Sequence, residues 1–317
     1  MSHDHLPDFD QIRAAAARIA PHATVTPVLR SAALDGLAGA ELHFKCENFQ
    51  RGGAFKFRGA CNAVWSLAGD EARAGVVTYS SGNHGTALAL AAATRGIPAH
   101  VVVPEGAVQA KLALIERAGA VLHRCAPNQS AREASAAEVQ QATGARLVHP
   151  YADDRVMAGQ GTIALELLAQ VPALDALITP VGGGGLASGV AIAAHGLRPG
   201  LPLFGAEPAG ADDAARSLAV GERVQSVVPD TLCDGLRALI GQPNLAALRE
   251  HAIDVITVSD EETIAAMRLL WRELRIVVEV SSATVLAAVL KSGERFAGRH
   301  VGLVLTGGNV DLDALPW

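Results

Sequence analysis

The chain has 317 residues, half of them hydrophobic and 18% charged, with a formal net charge of −6. That composition supports an ample core over about two domains, and it excludes the basic footprint of a nucleic-acid binder. No apolar run reaches the ~18 residues that a bilayer span needs, and Met1 to Asp10 is polar and acidic rather than a signal peptide, so a cytoplasmic protein is expected. Cys46, Cys61, Cys125 and Cys233 are scattered with no C-x-x-C pair, which suits free thiols in a reducing compartment. His3 and His5 form an H-x-H, read as part of a frayed terminus rather than a metal site.

Residues 10–20 read as a short helix stopped by Pro21, and 41–46 as a strand. From Gly75 the pattern becomes regular: strand 76–79, helix 83–94, strand 100–103, helix 109–118, strand 121–122, helix 130–141, strand 146–148. It resumes with helix 161–169, strand 177–181, helix 186–195 and strand 203–206. After a less regular stretch over 213–252 come strand 255–258 and a helix that Ser259 caps, with Glu262 completing a capping box. Helix 283–290 and strand 301–305 close the series. Strands alternating with helices of ~10–15 residues argue for parallel sheets with helical crossovers. No internal repeat or low-complexity linker interrupts them, and two α/β units are interleaved in one chain.

One stretch stands out chemically: Gly52-Gly53-Ala54-Phe55-Lys56-Phe57-Arg58. A lysine among phenylalanines loses hydration of its charged form, which lowers its pKa. The neutral amine is a nucleophile suited to a Schiff base. The alternative is a lysine that starts an amphipathic helix and points into water. Scarcity favours the first reading: Lys45, Lys56, Lys111 and Lys291 are the only lysines, while arginine is plentiful. Arginine, always protonated, cannot form an imine.

Three loops follow strands. Ser80-Ser81-Gly82-Asn83-His84-Gly85 opens a helix at the carboxyl edge of a sheet, where α/β folds bind ligands and helix N-termini attract anions. Gly182-Gly183-Gly184-Gly185-Leu186 lets backbone N–H groups surround a phosphate. Gly182, Gly184 and Ala187 also satisfy the dinucleotide fingerprint, with Glu207 placed for a ribose, so a nicotinamide-dependent oxidoreductase is the rival on this loop alone. Thr306-Gly307-Gly308-Asn309 presents a hydroxyl that suits a ring nitrogen or a cap. Glu207 to Asp213 offers oxygen ligands for Mg²⁺, Mn²⁺ or Ca²⁺, although a solvated acidic turn is the commoner use of such a string.

Taken in order, KCENFQRGGAFKFRGA, SSGNHG, HPYADDRVMAGQGT, PVGGGGL, EPAGADD, DGLR and TGGN resemble the fold-type-II pyridoxal-phosphate enzymes. The matching branch is that of serine/threonine dehydratases, serine racemases and 3-hydroxyaspartate dehydratases, and the similarity runs from about Thr26 to Asn309. The resemblance implies an α/β fold of two interleaved doubly wound parallel-sheet domains, like the tryptophan synthase β chain. A large pyridoxal-phosphate-binding domain would span 1–65 and 153–317, and a small domain 66–152.

In this family pattern Lys56 matches the lysine that carries pyridoxal 5′-phosphate, with Phe55 against the ring. Asn83 matches the partner of the phenolic oxygen, Gly182 to Leu186 the phosphate cradle, and Thr306 the residue facing the pyridine nitrogen. Ser80, Ser81, Gly82, Asn83 and His84 would hold the substrate carboxylate. Ser81 matches the acid/base hydroxyl opposite Lys56 that a racemase needs. Glu207, Ala211 (through its carbonyl) and Asp213 match the branch's divalent-metal loop, which reverses the acidic-turn reading.

The implied activity is an ammonia-lyase that dehydrates serine, threonine or 3-hydroxyaspartate, with serine racemisation at the same site, in a homodimer. The nicotinamide reading gives no role to Lys56, Asn83 or Thr306, and a non-catalytic binder would leave every chemical position idle. Two departures bear on side-chain specificity: Ala238 follows DGLR where relatives often carry serine or threonine, and Glu279-Val280-Ser281-Ser282-Ala283 replaces the more usual E-P-S/A-G-A. The eight residues after Asn309 leave no room for a C-terminal regulatory domain, so isoleucine feedback is not expected.

Overall fold

The computed structural model describes residues 5–107 and 109–317, with the backbone alone at Ala110 and Lys111. His3 of the H-x-H pair therefore lies outside the described residues. The first half of the chain runs α1 (Phe9–Ile19), β1 (Val28–Leu29), α2 (Ala32–Ala38), β2 (Glu41–Cys46), α3 (Lys56–Trp65), α4 (Gly69–Ala74), β3 (Val76–Thr78) and α5 (Asn83–Arg95). Then follow β4 (Ala99–Pro104), α6 (Gln109–Arg117), β5 (Val121–Cys125), α7 (Gln129–Thr143), β6 (Arg146–Leu147) and α8 (Asp154–Gln170). The remainder is β7 (Ala176–Pro180), α9 (Gly185–Leu197), β8 (Leu203–Pro208), α10 (Asp213–Val220), α11 (Gln242–Glu250), β9 (Asp254–Val258), α12 (Asp260–Leu274), α13 (Val280–Lys291), α14 (Gly293–Phe296) and β10 (His300–Leu305).

These strands form two sheets. The larger has the order β1-β2-β10-β7-β8-β9, and only its β1–β2 pair is antiparallel. The smaller has the order β5-β4-β3-β6 and is parallel throughout. The smaller sheet uses residues 76–147, and the larger takes its strands from either side of that segment. Helices cover both faces of each sheet, as parallel sheets require. On one face of the large sheet, Leu42 and Phe44 pack with Leu34, Met267 and Leu286; on the other, Leu177 and Val304 pack with Ile12, Leu167 and Ala191. Among the described residues no helix is long and apolar enough to cross a membrane.

The predicted capping box is present: Ser259 Oγ accepts from Glu262 N, and the Glu262 carboxylate accepts from Ser259 N. The helix expected over 161–169 starts much earlier, at Asp154, because Asp153 caps it by accepting from the Arg155 and Val156 N–H groups. Its glycines are contact points rather than breaks. A Cβ on Gly159 would lie 2.5 Å from the Gly59 Cα, so α3 and α8 meet backbone to backbone. That contact holds the helix that begins with Lys56.

Candidate active site

Both sheets are doubly wound, and each has a point where the strand order reverses. In the small sheet the chain lays down β3, β4 and β5 in one direction and returns to place β6 on the other side of β3. In the large sheet it lays down β7, β8 and β9 and returns to place β10 beyond β7. At such reversals the loops after neighbouring strands diverge and leave a crevice at the carboxyl edge. The loops concerned are Tyr79 to Gly82 after β3, Val148 to Asp153 after β6, Val181 to Gly184 after β7 and Thr306 to Asn309 after β10.

Lys56 is the first residue of α3 and half-buried, so it does start a helix, but its amine is turned away from bulk water. Nζ donates to the Pro150 carbonyl at 2.8 Å and lies 5.1 Å from the centre of the Phe55 ring. Burial, opposed by the charge of Glu279, lowers its pKa to about 8. In the cofactor-free protein, aldehyde capture by Lys56 is therefore expected to level off above about pH 8 rather than near the ordinary 10.5. Borohydride trapping and peptide mass across the pH range read this out; a rate still climbing at the ordinary lysine pKa would mark Lys56 as an unperturbed amine.

Asn83 opens α5 and joins the two halves of the site. Its Nδ2 donates to both Glu279 oxygens at 3.1 Å, and its Oδ1 accepts from Asn309 Nδ2 at 2.9 Å. Asn309 Nδ2 also donates to the Gly52 carbonyl at 2.8 Å, and Phe55 N donates to the Thr306 carbonyl at 2.9 Å. The loops around Lys56, Asn83 and Thr306, far apart in sequence, are thus tied together. Ser81 is half-buried, and its hydroxyl makes no hydrogen bond among the described residues. His84 differs from the expectation for its loop. Its ring is buried, with Nε2 3.3 Å from the Val148 carbonyl, and burial, aided by Lys56, lowers its pKa to about 3. It supports the loop from beneath.

Thr306 is 4% exposed, and its hydroxyl lies 2.9 Å from Ser282 Oγ. Ser282 Oγ also accepts from Gly307 N and donates to Gly307 O, both at 2.8 Å. A serine hydroxyl has one proton, so all three bonds hold together when Thr306 donates to Ser282. The substitution noted in the 279–283 string therefore acts directly on the hydroxyl that Thr306 presents.

The four glycines after β7 are required by their neighbours. A Cβ would lie 2.4 Å from the Tyr151 ring at Gly183 and 2.4 Å from Ile240 Cδ1 at Gly184, where φ is +89°. No side chain caps α9, the helix that follows. Its first N–H groups lack intrahelical partners and are left for an anion.

Glu207, near the end of β8, and Ala211 and Asp213 just beyond it are all buried. Glu207 accepts from Ala214 N at 2.9 Å and Ala215 N at 2.8 Å, and Asp213 accepts from Ile240 N at 2.7 Å. Burial, reinforced by Asp213 and Asp212, raises Glu207 to about 8; burial likewise raises Asp213. Neither carboxylate forms a salt bridge among the described residues. A fully buried Glu207 is out of reach of a ribose, which removes the acid that the nicotinamide reading needs.

Pro150, Glu279, Asn309 and Ser282 escaped assignment from sequence. Pro150 and Asn309 lie inside quoted motifs, and each follows a strand, which was the available signal. Glu279 and Ser282 belong to a helix start; Glu279 gave no signal and Ser282 only its departure from the usual string.

A family model described as "Pyridoxal-phosphate dependent enzyme" matches residues 19–307. The chain is 48% identical over 313 residues to a beta-hydroxyaspartate dehydratase of Paracoccus denitrificans, covering 99% of each chain. It is 47% identical over 313 residues to a serine racemase of Arabidopsis thaliana, covering 97% of this chain and 95% of that one. Among solved structures, maize serine racemase superposes with a TM-score of 0.95 at 43% identity, covering 98% of this chain and 95% of that one.

Proposed function

Because the chain belongs to the pyridoxal-phosphate dependent enzymes, we propose that it is an ammonia-lyase converting a β-hydroxy amino acid to a 2-oxo acid and ammonia. The observation that carries the proposal is the half-buried Lys56 amine, its pKa lowered, held at Pro150 between two facing sheet reversals. The residues present fit the cofactor. A nucleophilic amine, an uncapped helix N-terminus behind four close-packed glycines, and a buried hydroxyl at Thr306 lie around one crevice. Lys56 would hold the aldehyde carbon, Gly182 to Leu186 the phosphate, Asn83 the phenolic oxygen and Thr306 the ring nitrogen, with Phe55 against the ring. When bound, pyridoxal 5′-phosphate supplies the electron sink that acidifies the α-hydrogen of an amino acid.

The chain's own work is orientation and proton movement. Ser80, Ser81, Gly82 and Asn83 hold the substrate carboxylate at the start of α5, where the helix dipole favours an anion. Lys56 Nζ, free as a base once the substrate amine has taken its place, would take the α-proton and return one proton to the β-hydroxyl, which leaves as water. Water re-enters when the released enamine tautomerises and hydrolyses, so the net change is hydroxy amino acid to 2-oxo acid plus ammonia. Assays of 2-oxo acid formation from serine, threonine and 3-hydroxyaspartate test the proposal directly; no product from any of the three overturns it.

Racemisation is the second reading, favoured by the unengaged hydroxyl of Ser81. Ser81→Ala is expected to abolish interconversion of L- and D-serine while sparing dehydration of the L-enantiomer. Acid–base groups contribute ~10²–10⁴-fold, so the two rates separate clearly. An equal loss of kcat on both enantiomers would reduce Ser81 to a binding group.

The Glu207, Ala211 and Asp213 loop is read as a site for Mg²⁺, Mn²⁺ or Ca²⁺, because two buried carboxylates and a carbonyl in one short segment, with no salt bridge among the described residues, offer the oxygen ligands that hard cations take. Chelation is expected to lower the unfolding midpoint, and added metal to restore it. Asp213→Asn, which keeps the acceptor for Ile240 N, should lose that response. If it responds like the wild type, the loop is only an acidic turn.

A further inference from the structure

The opposite, N-terminal edge of the large sheet carries a second constellation. Glu41 and His43 are two residues apart on β2 and so share a face of the strand. His300 opens β10 and pairs with Glu41 in the parallel ladder, with Gly302 beside His43. The pleat therefore puts all three side chains on one side of the sheet. His43 Nε2 lies 3.3 Å from His300 Nδ1, and His300 Nδ1 lies 3.6 Å from Glu41 Oε2. One ligand atom from each residue falls within 4.8 Å of the other two. Two metal bonds of ~2.0–2.1 Å meeting at a tetrahedral angle set their donor atoms ~3.3–3.5 Å apart; the His43–His300 pair meets this at 3.3 Å, and the His300–Glu41 pair comes near it at 3.6 Å.

We propose that Glu41, His43 and His300 form a binding site for a borderline transition-metal dication, foremost Zn²⁺, with water in the remaining position. Two imidazoles and one carboxylate select Zn²⁺, Co²⁺ or Ni²⁺ over Mg²⁺ and Ca²⁺. The site is thus chemically distinct from the oxygen-only loop at Glu207.

The two rings now face each other nitrogen to nitrogen, nearly parallel, with centroids 5.6 Å apart. Binding needs them to swing until both lone pairs aim at one point. His43 is fixed by burial, but His300 is 34% and Glu41 47% exposed at the side chain, which provides both the freedom and an entry path. Burial, first, and the charge of Arg30, second, lower the His43 pKa. Arg30 bonds Glu41 Oε2 at 2.8 Å, but it also bonds Asp35 Oδ2 at 2.8 Å and so retains a carboxylate when Glu41 turns. Arg30, Asp35 and Glu41 together carry one net negative charge, which suits a dication. The ion would clamp β2 to β10 across 257 positions of chain, and long closures of this kind restrict the unfolded state most.

Co²⁺ is the probe, because tetrahedral Co²⁺ absorbs far more strongly in the visible than octahedral Co²⁺. The holoenzyme, first saturated with Mg²⁺, is titrated with Co²⁺ and then with Zn²⁺. A single equivalent of Co²⁺ giving the intense bands, displaced by Zn²⁺, is the expected result, together with a higher unfolding midpoint in Zn²⁺. His300→Gln and Glu41→Gln, both at accessible positions, should each weaken the intense component by ~10-fold or more while leaving 2-oxo acid formation unchanged. His123→Gln is the control, since the His100–His123 pair has close nitrogens, 3.1 Å apart, but belongs to no such carboxylate-bearing group among the described residues. Absence of intense bands, wild-type affinity in His300→Gln, or loss of the bands in His123→Gln instead would each overturn the proposal.

Discussion

Lys56→Ala abolishes both the covalent attachment of the cofactor and turnover, an expected loss of roughly 10⁴-fold or more, since the nucleophile and the general base vanish with one side chain. The surroundings explain why nothing substitutes. Lys45 is fully buried, and its Nζ is held by Glu166 at 2.6 Å, the Thr26 carbonyl at 2.8 Å and Gln170 at 2.9 Å. Lys291 pairs with Glu262 at 3.0 Å near the surface. Lys111 lies on α6, outside the loops that follow the strands. Borohydride reduction of the loaded wild type should place the added mass on the peptide containing Lys56, and on no peptide in the variant. A variant that kept the cofactor's absorption band and its turnover would overturn the assignment of Lys56.

The largest effect on stability is expected two residues further on. Arg58 is fully buried and forms a double bond-pair with Glu47, Nε to Oε2 at 2.7 Å and Nη2 to Oε1 at 2.9 Å. It forms another with Glu166, at 2.7 and 2.8 Å, and Lys45 completes a neutral group of two cations and two carboxylates. Burial alone would lower the arginine's pKa, but Glu47 and Glu166 outweigh it and raise the pKa. Arg58→Met leaves Glu47 fully buried with Thr26 Oγ1, at 2.6 Å, as its remaining side-chain partner. Breaking a buried pair in this way costs about 3–5 kcal/mol, read as a fall in the denaturant midpoint. Arg58→Lys should recover little, because a point charge cannot serve two carboxylates in fork geometry. Adding Glu47→Gln to Arg58→Met should recover part of the loss by removing the unpaired charge. If Arg58→Met melts like the wild type, the group does not hold α3, and Lys56 is positioned by the remaining contacts, the Gly59–Gly159 approach and the bonds to Pro150 and Thr306.

The departures between sequence reading and structure have particular causes. Helix α8 was expected only from residue 161, but it begins at Asp154 and runs through Gly159 and Gly161. Those glycines are the points where α8 touches Gly59 and Gly189 backbone, so tertiary contact overrides their low helix propensity. The stretch 213–252, read as less regular, holds the short helices α10 and α11, separated by a largely irregular segment. His84, grouped with the carboxylate-binding loop, turns inward because its ring finds the Val148 carbonyl on the neighbouring strand's exit.

The sequence by itself determined the α/β class, the order of most strands and helices, and the residue types at Lys56, the glycine loop and Thr306. These are local properties: side-chain periodicity, caps, turn glycines and functional groups are all written within a few residues of one another. Only the tertiary structure decided that the loops after β3, β6, β7 and β10 face each other, because strand order depends on pairings between residues up to hundreds of positions apart. It also decided the electrostatics. Phe55 and Phe57 suggested a desolvated lysine, but the amine's low pKa comes from burial in the folded crevice, which the charge of Glu279 only partly opposes. The bond from Thr306 to Ser282, and the meeting of Glu41, His43 and His300, likewise exist only once β10 lies between β2 and β7. Desolvation and cross-strand proximity are properties of the folded volume, and no window of sequence contains them.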